Sequence, residues 1–199
     1  MIARKLRPIR SGEWGKTRWE YYLADTFPDP ALCTSAGCVA IRDLANSEVV
    51  LTYTKNRREA DNSEGGARWE ILGGHNDPLD PKKPNGPKEC PEVTAARESL
   101  EEGGFIADEM IPFAYRLMYN PPLEEQTGPK TYPEIGYYAY YWAQTSTGLV
   151  APTDPEKPLP GTFPTYGLHH LVECGHMREM EQLIVLDGMN AALEHYGSL

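Results

Sequence analysis

The segment Arg97-Glu98-Ser99-Leu100-Glu101-Glu102 puts three carboxylates and a guanidinium within six residues. On a helix turning roughly 100° per residue, Glu98, Glu101 and Glu102 stand at i, i+3 and i+4 and share one face. Val93, Ala96 and Leu100 fall on the opposite side, which is expected to pack against a sheet. Clustered carboxylates repel one another, and near a helix C-terminus the macrodipole also disfavours them, at about 1 kcal/mol in total. A divalent cation reverses that sign, because Mg²⁺ and Mn²⁺ require hard oxygen ligands converging on one point. The bland alternative is a solvated glutamate face.

The surroundings favour the chemical reading. Glu89 precedes Arg97 by eight residues, Gly73-Gly74 closes an upstream strand pattern, and Gly104-Phe105 follows the helix. From Glu89 to Phe105 the chain resembles the Nudix hydrolase family, whose signature runs G-x5-E-x7-R-E-U-x-E-E-x-G-U with U apolar. Ser99 stands where U is usual, and Leu72 where a proline commonly precedes the glycines. Gly74 lies fifteen residues before Glu89 instead of six, so about nine residues are inserted and Lys83 occupies the nominal glycine position. Such an insertion costs little closure entropy and can serve as a substrate-selecting lid.

The resemblance implies an α/β fold, an α/β/α sandwich with a mixed, partly antiparallel sheet. It also implies Mg²⁺, with Mn²⁺ able to substitute, on Glu98, Glu101, Glu102 and the backbone at Gly74. Arg97 would orient Glu89 or Glu101 by a bidentate contact. Glu101, Glu102 and Arg97 would act in catalysis; the base is a box glutamate or a downstream carboxylate, with Glu134 preferred over Glu124 and Glu125. Glu89, His75 and Tyr119 would meet a nucleoside diphosphate derivative, the implied small-molecule partner. Tyr119, Tyr132, Tyr137 and Trp142 are candidate rings for a nucleobase, core packing being the alternative. ADP-ribose or a nucleotide sugar is the favoured substrate and a modified nucleoside triphosphate the next. A nucleotide-sensing module without chemistry is the rival class, and by analogy a homodimer is expected.

Several elements must position these groups. Cys38–Arg42 and Glu48–Thr54 read as antiparallel strands, Arg68–Leu72 as a short strand broken at Gly73-Gly74, and Ile111–Tyr119 and Ile135–Ala143 as two more. Pro91–Glu102 reads as the carboxylate helix and Glu179–His195 as a second helix. An early strand is expected within Trp14–Asp25, in an N-terminal extension over 1–35. Polar or proline-rich loops fill Asn56–Gly66, the insertion 76–88, Asn120–Pro133 and Ala151–Pro164. The 199 residues suit a single domain.

Composition narrows the partners. A net charge of −10 argues against nucleic-acid binding, which relies on neutralising phosphates. No run approaches a membrane span. Cys33, Cys38, Cys90 and Cys174 lack paired spacing and read as reduced thiols in a cytoplasmic protein. His169, His170, Cys174 and His176 crowd together but match no standard zinc spacing, so a turn before the last helix is expected there.

Overall fold

A computed structural model describes residues 7–54, 68–79, 82, 86–107, 109–126, 132–145 and 160–197. Its centre is a strand of small and β-branched residues, β3 (Cys33–Asp43), joined by a tight turn to β4 (Glu48–Thr54). Ala40 pairs with Val50 and Ile41 with Val49, the antiparallel hairpin expected from the sequence. On its other side β3 runs parallel to the aromatic strand β8 (Ile135–Gln144), which pairs antiparallel with β7 (Ile111–Tyr119).

The early strand is a hairpin, β1 (Arg10–Trp14) and β2 (Thr17–Leu23), turning at Gly15 with φ 55°. It extends the main sheet, because β2 pairs with β7. The strand expected at Arg68–Leu72 is two pieces, β5 (Arg68–Glu70) and β6 (Leu72–His75). β6 does not break at the glycine pair but runs through it, with Gly73 opposite Gly37 and Gly74 opposite Ala36. Only residues without bulk fit here, so glycine sustains the pairing instead of ending it. The loop expected over 151–164 ends in a further strand, β9 (Gly161–Pro164), on β4; residues 151–159 lie outside the described set, as do 56–66. The full order is β1-β2-β7-β8-β3-β4-β5, with β6 beside the first half of β3. Mixed strand directions with helices on both faces make the α/β/α sandwich.

One face packs under α3 (Glu179–Gly197), where Val39, Ile41, Val49, Leu51, Tyr140 and Trp142 meet Ile184, Val185 and Met189. The other face carries α1 (Pro91–Gly103) over Ala36, Cys38, Ala40 and Ala139. These small side chains let α1 approach the sheet closely. Pro91 opens the helix, and Gly104 closes it in the left-handed conformation (φ 68°), its N–H reaching back to Leu100 and Ser99.

The expected orientation of α1 is corrected. The buried side carries Thr94, Ala95, Glu98, Ser99, Glu102 and Gly103, whereas Val93 is 50% exposed and Ala96 and Leu100 are only half-buried. The carboxylate face turns toward the sheet because partners wait for it there. Ser99 fits the same logic: a fully buried hydroxyl where an apolar group is usual, it donates to the Ala95 carbonyl at 2.7 Å.

No helix among the described residues is long and apolar enough to cross a membrane. α2 (Leu168–Glu173) carries His169 and His170, and the expected turn into the last helix follows it at residues 174–177. His169 Nδ1 lies against the Tyr166 carbonyl, and only His170 comes near Cys174, at 3.7 Å from Nε2 to Sγ. Among the described residues no three His, Cys, Asp or Glu side chains of this stretch surround a common point.

Candidate functional site

Arg97 is the hub of the carboxylate face. Its Nη1 donates to Glu98 at 2.9 Å and to Glu101 at 2.8 Å. Nε and Nη2 grip Glu89 at 3.2–3.3 Å, and Nη2 also donates to the His75 carbonyl at 3.0 Å. Asp77 adds an ion pair at 3.4 Å. The sequence left Glu89 and Glu101 as alternatives for this arginine; it holds both, together with Glu98. One positive charge thus faces four carboxylates, and an anionic surplus remains that a divalent cation would offset.

The insertion does not displace Glu89. Its two ends pair, with a bridge between Pro78 and Lys88 and hydrogen bonds from Leu79 N to Pro87 O (2.9 Å) and from Glu89 N to Asp77 O (2.8 Å). The excursion returns to its starting point, although residues 80, 81 and 83–85, including Lys83, lie outside the described set. Thr94 Oγ1 then donates to Glu89 Oε2 at 3.1 Å, and Asn76 Nδ2 reaches the Glu89 carbonyl at 3.3 Å. Asp77, Asn76 and Thr94 were not singled out from sequence; no spacing rule marks the stem of an insertion.

Glu102, 5% exposed, accepts from Gly73 N at 3.1 Å. A Cβ on Gly74 would lie 2.0 Å from Glu98 Oε1, so the missing side chain is the space the carboxylate occupies. Burial, with Glu102 beside it, raises the Glu98 pKa from 4.5 to about 7 against the pull of Arg97. Among the described residues no three acidic, cysteine or histidine side chains surround a common point. Mg²⁺ needs no such cage, since it keeps several waters and is held by one or two carboxylates together with substrate phosphates. Glu98, Glu101 and Glu102 supply donors of that kind, and the unoffset charge beside Arg97 fits a divalent ion.

A prediction follows from the sign of the Glu98 shift. A proton on Glu98 competes with metal, so the affinity for Mn²⁺ should rise about tenfold from pH 6 to pH 8 and then level off. Without metal, the raised pKa contributes stability that is present at low pH and lost as pH rises through about 7. Calorimetric titration with Mn²⁺ across this range checks it; an affinity that is flat with pH would remove Glu98 from the ligand set.

The other candidates are dispersed. His75 lies at the end of β6, its Nε2 3.1 Å from Tyr132 Oη and its ring 5.9 Å from the Tyr132 ring. Gln126 fixes Tyr132 by accepting from its N–H and donating to its carbonyl, both at 2.8 Å. Tyr119 is engaged farther along the sheet, its hydroxyl donating to Glu20 at 3.0 Å and its ring 3.9 Å beneath Arg18. Tyr137 and Trp142 are core residues, 0% and 2% exposed, and are not placed to stack on a base. Glu134 is exposed just before β8, where its carbonyl accepts from Asn120 N at 2.8 Å. Glu124 and Glu125 lie in a short 3-10 turn, Glu125 paired with Lys16.

No family model matches the sequence, and no curated protein matches it. Among solved structures, the crystal structure of a mutant of the Bacillus subtilis pyrophosphohydrolase BsRppH is similar, with a TM-score of 0.52 and 16% identity. The match covers 78% of this chain and 77% of that one. At that identity the likeness concerns the fold alone.

Proposed function

We propose that this chain is a divalent-metal-dependent hydrolase that cleaves the pyrophosphate bond of a nucleoside diphosphate joined to a second group. ADP-ribose or a nucleotide sugar is the favoured substrate. The observation that carries the reading is the meeting of Glu98, Glu101 and Glu102 beside Gly73-Gly74, with Arg97 paired to Glu98 and Glu101. A solvated glutamate face would point outward, and Glu98 and Glu102 are buried. The fold shared with a pyrophosphohydrolase supports the same reading, while Mg²⁺ and the substrate rest on the site's chemistry.

A bound divalent ion would activate a water and offset charge on the leaving phosphate. The chain's own groups do the rest. Arg97 holds Glu98, Glu101 and Glu89 in place, and the missing side chain at Gly74 leaves the room that the Glu98 carboxylate fills. Glu102 is the better-placed proton acceptor, buried at the glycine strand, while Glu134 is the solvent-exposed alternative. His75, whose carbonyl accepts from Arg97, and Tyr132 beside it are assigned to the substrate's second group.

The test is incubation with Mg²⁺ and a panel of ADP-ribose, nucleotide sugars, dinucleoside polyphosphates and normal and oxidised nucleoside triphosphates, with products resolved by chromatography. Cleavage between phosphates is expected, and Glu102→Gln should lose at least roughly 10²-fold in kcat. Glu134→Gln should retain most activity if Glu102 is the base. Cleavage of triphosphates alone would move the chain to the nucleotide-pool class. No turnover with either metal, in a protein that still binds a nucleotide, would make it a sensor.

A further inference from the structure

Arg116 lies on β7 with its side chain on the α3 side of the sheet, between Tyr21 of β2 and Tyr138 of β8 in the strand register. It is 7% exposed, yet its Nε is buried with no acceptor, and among the described residues no carboxylate forms an ion pair with it. Its neighbours are rings: Trp14 at 4.3 Å from the guanidinium carbon, Tyr138 at 5.6 Å and Tyr140 at 5.9 Å. Ring faces attract a cation but accept no directed hydrogen bond in the guanidinium plane, so the Nε–H is left unsatisfied. Buried cations are ordinarily paired, and an orphaned buried donor calls for a missing acceptor.

The surroundings point the same way. Trp19 Nε1, on the same face of the adjoining strand β2, is a second buried donor without an acceptor. The Tyr21 hydroxyl is a third, although Asp187 of α3 is close enough to claim it. Glu181 and Asp187 are the acids facing this patch; burial raises the pKa of both, Arg116 acts on Glu181 through space in the opposite direction, and neither is within ion-pair distance of Arg116 among the described contacts. The roof is Trp14, 40% exposed and carried on β1, whose only strand partner among the described residues is β2. A ring on an edge hairpin can move aside at small cost, and Arg116 beneath it retains a small opening to solvent.

We propose that Arg116 is the recognition group of an oxyanion site roofed by Trp14, taking a phosphate or carboxylate group in the guanidinium plane with Trp19 as a second donor. The site lies on the sheet face opposite α1 and is distinct from the carboxylate cluster. Its anion is either a charged group of the substrate itself or a separate small anion.

The experiment is a titration with inorganic phosphate in EDTA, so that no metal draws phosphate to the acidic cluster, against chloride at equal ionic strength. Phosphate at about ten times its dissociation constant should raise the melting temperature by about 4 °C. It should also change the tryptophan fluorescence. Trp14→Phe should keep the thermal shift and lose most of the fluorescence change. Arg116→Met should abolish both and melt no lower than the parent without phosphate, because an apolar group of similar length replaces an unpaired cation. In the metal-loaded enzyme, phosphate inhibition that disappears in Arg116→Met and is competitive marks the substrate's own group, and non-competitive inhibition marks a separate anion. The proposal is overturned if phosphate leaves the parent unchanged or if Arg116→Met responds as the parent does. It is overturned equally if Arg116→Met melts well below the parent, since the ring contacts would then be the arginine's whole role.

Discussion

Arg97→Met is expected to abolish hydrolysis, with kcat/KM lower by roughly 10³-fold or more, while also weakening the metal-free fold. The guanidinium contacts Glu89, Glu98, Glu101, Asp77 and the His75 carbonyl, so its removal leaves four carboxylates with no cation among them. Breaking a buried pair by deleting one partner costs about 3–5 kcal/mol; with Arg97 23% exposed at its side chain, about 2–3 kcal/mol is the expected scale. The two losses should separate. Mn²⁺, or a pH low enough to protonate Glu98, relieves the repulsion and should restore much of the melting temperature. Neither restores activity, because the carboxylates lose the group that orients them. Arg97→Lys tests the geometry: a lysine supplies the charge but cannot hold Glu89 from one side and Glu98 and Glu101 from another. Activity in Arg97→Lys close to the parent's would mean that charge alone suffices and that the shared-guanidinium account is wrong.

What the sequence made legible was local. Pro91 at the start of α1 and Gly104 past its end act within one turn, so the helix bounds could be read to within a residue. β4, β7 and α3 were equally clear because β-branched, aromatic or helical patterns persist along them. Long-range features were harder. Which side of α1 faces the sheet depends on Gly73 N donating to Glu102 and on the empty Gly74 position accommodating Glu98. An amphipathic reading turns apolar Val93 inward and misses both. Likewise, the length of the insertion says nothing about where Glu89 returns, and a bridge between two residues with no pattern of their own, Pro78 and Lys88, closes it. β9 escaped notice because four residues ending in proline carry no strand signal without β4 beside them. Arg116 was invisible for the same reason: its isolation among rings exists only after β1, β2, β7 and β8 assemble.

The glycine pair gives the sharpest division between fold and site. Neither glycine has a positive φ, so an added methyl group acts through space rather than through the backbone dihedral. On Gly73 it would meet Tyr138 Oη at 2.2 Å, the Ala36 carbonyl at 2.8 Å and Gly37 Cα at 2.8 Å. Two of these are backbone atoms of the neighbouring strand and can yield only if the ladder between β3 and β6 opens. Gly73→Ala should therefore destabilise the protein by about 2–4 kcal/mol, on the scale of overpacked cores and broken ladders. On Gly74 the three atoms nearest the methyl group would all belong to the Glu98 carboxylate, at 2.0–2.9 Å. That carboxylate is the tip of a flexible side chain and can swing away. Gly74→Ala should thus melt within a few degrees of the parent yet lose roughly 10²-fold or more in kcat, because the displaced carboxylate no longer shares the site with Glu101 and Glu102. Thermal melts and single-turnover rates on the two variants give the comparison. If Gly74→Ala keeps full activity, Glu98 does not serve in catalysis and the active cluster contracts to Glu101 and Glu102. Its affinity for Mn²⁺ should also lose the pH dependence between 6 and 8, since the group whose pKa is about 7 has left the site.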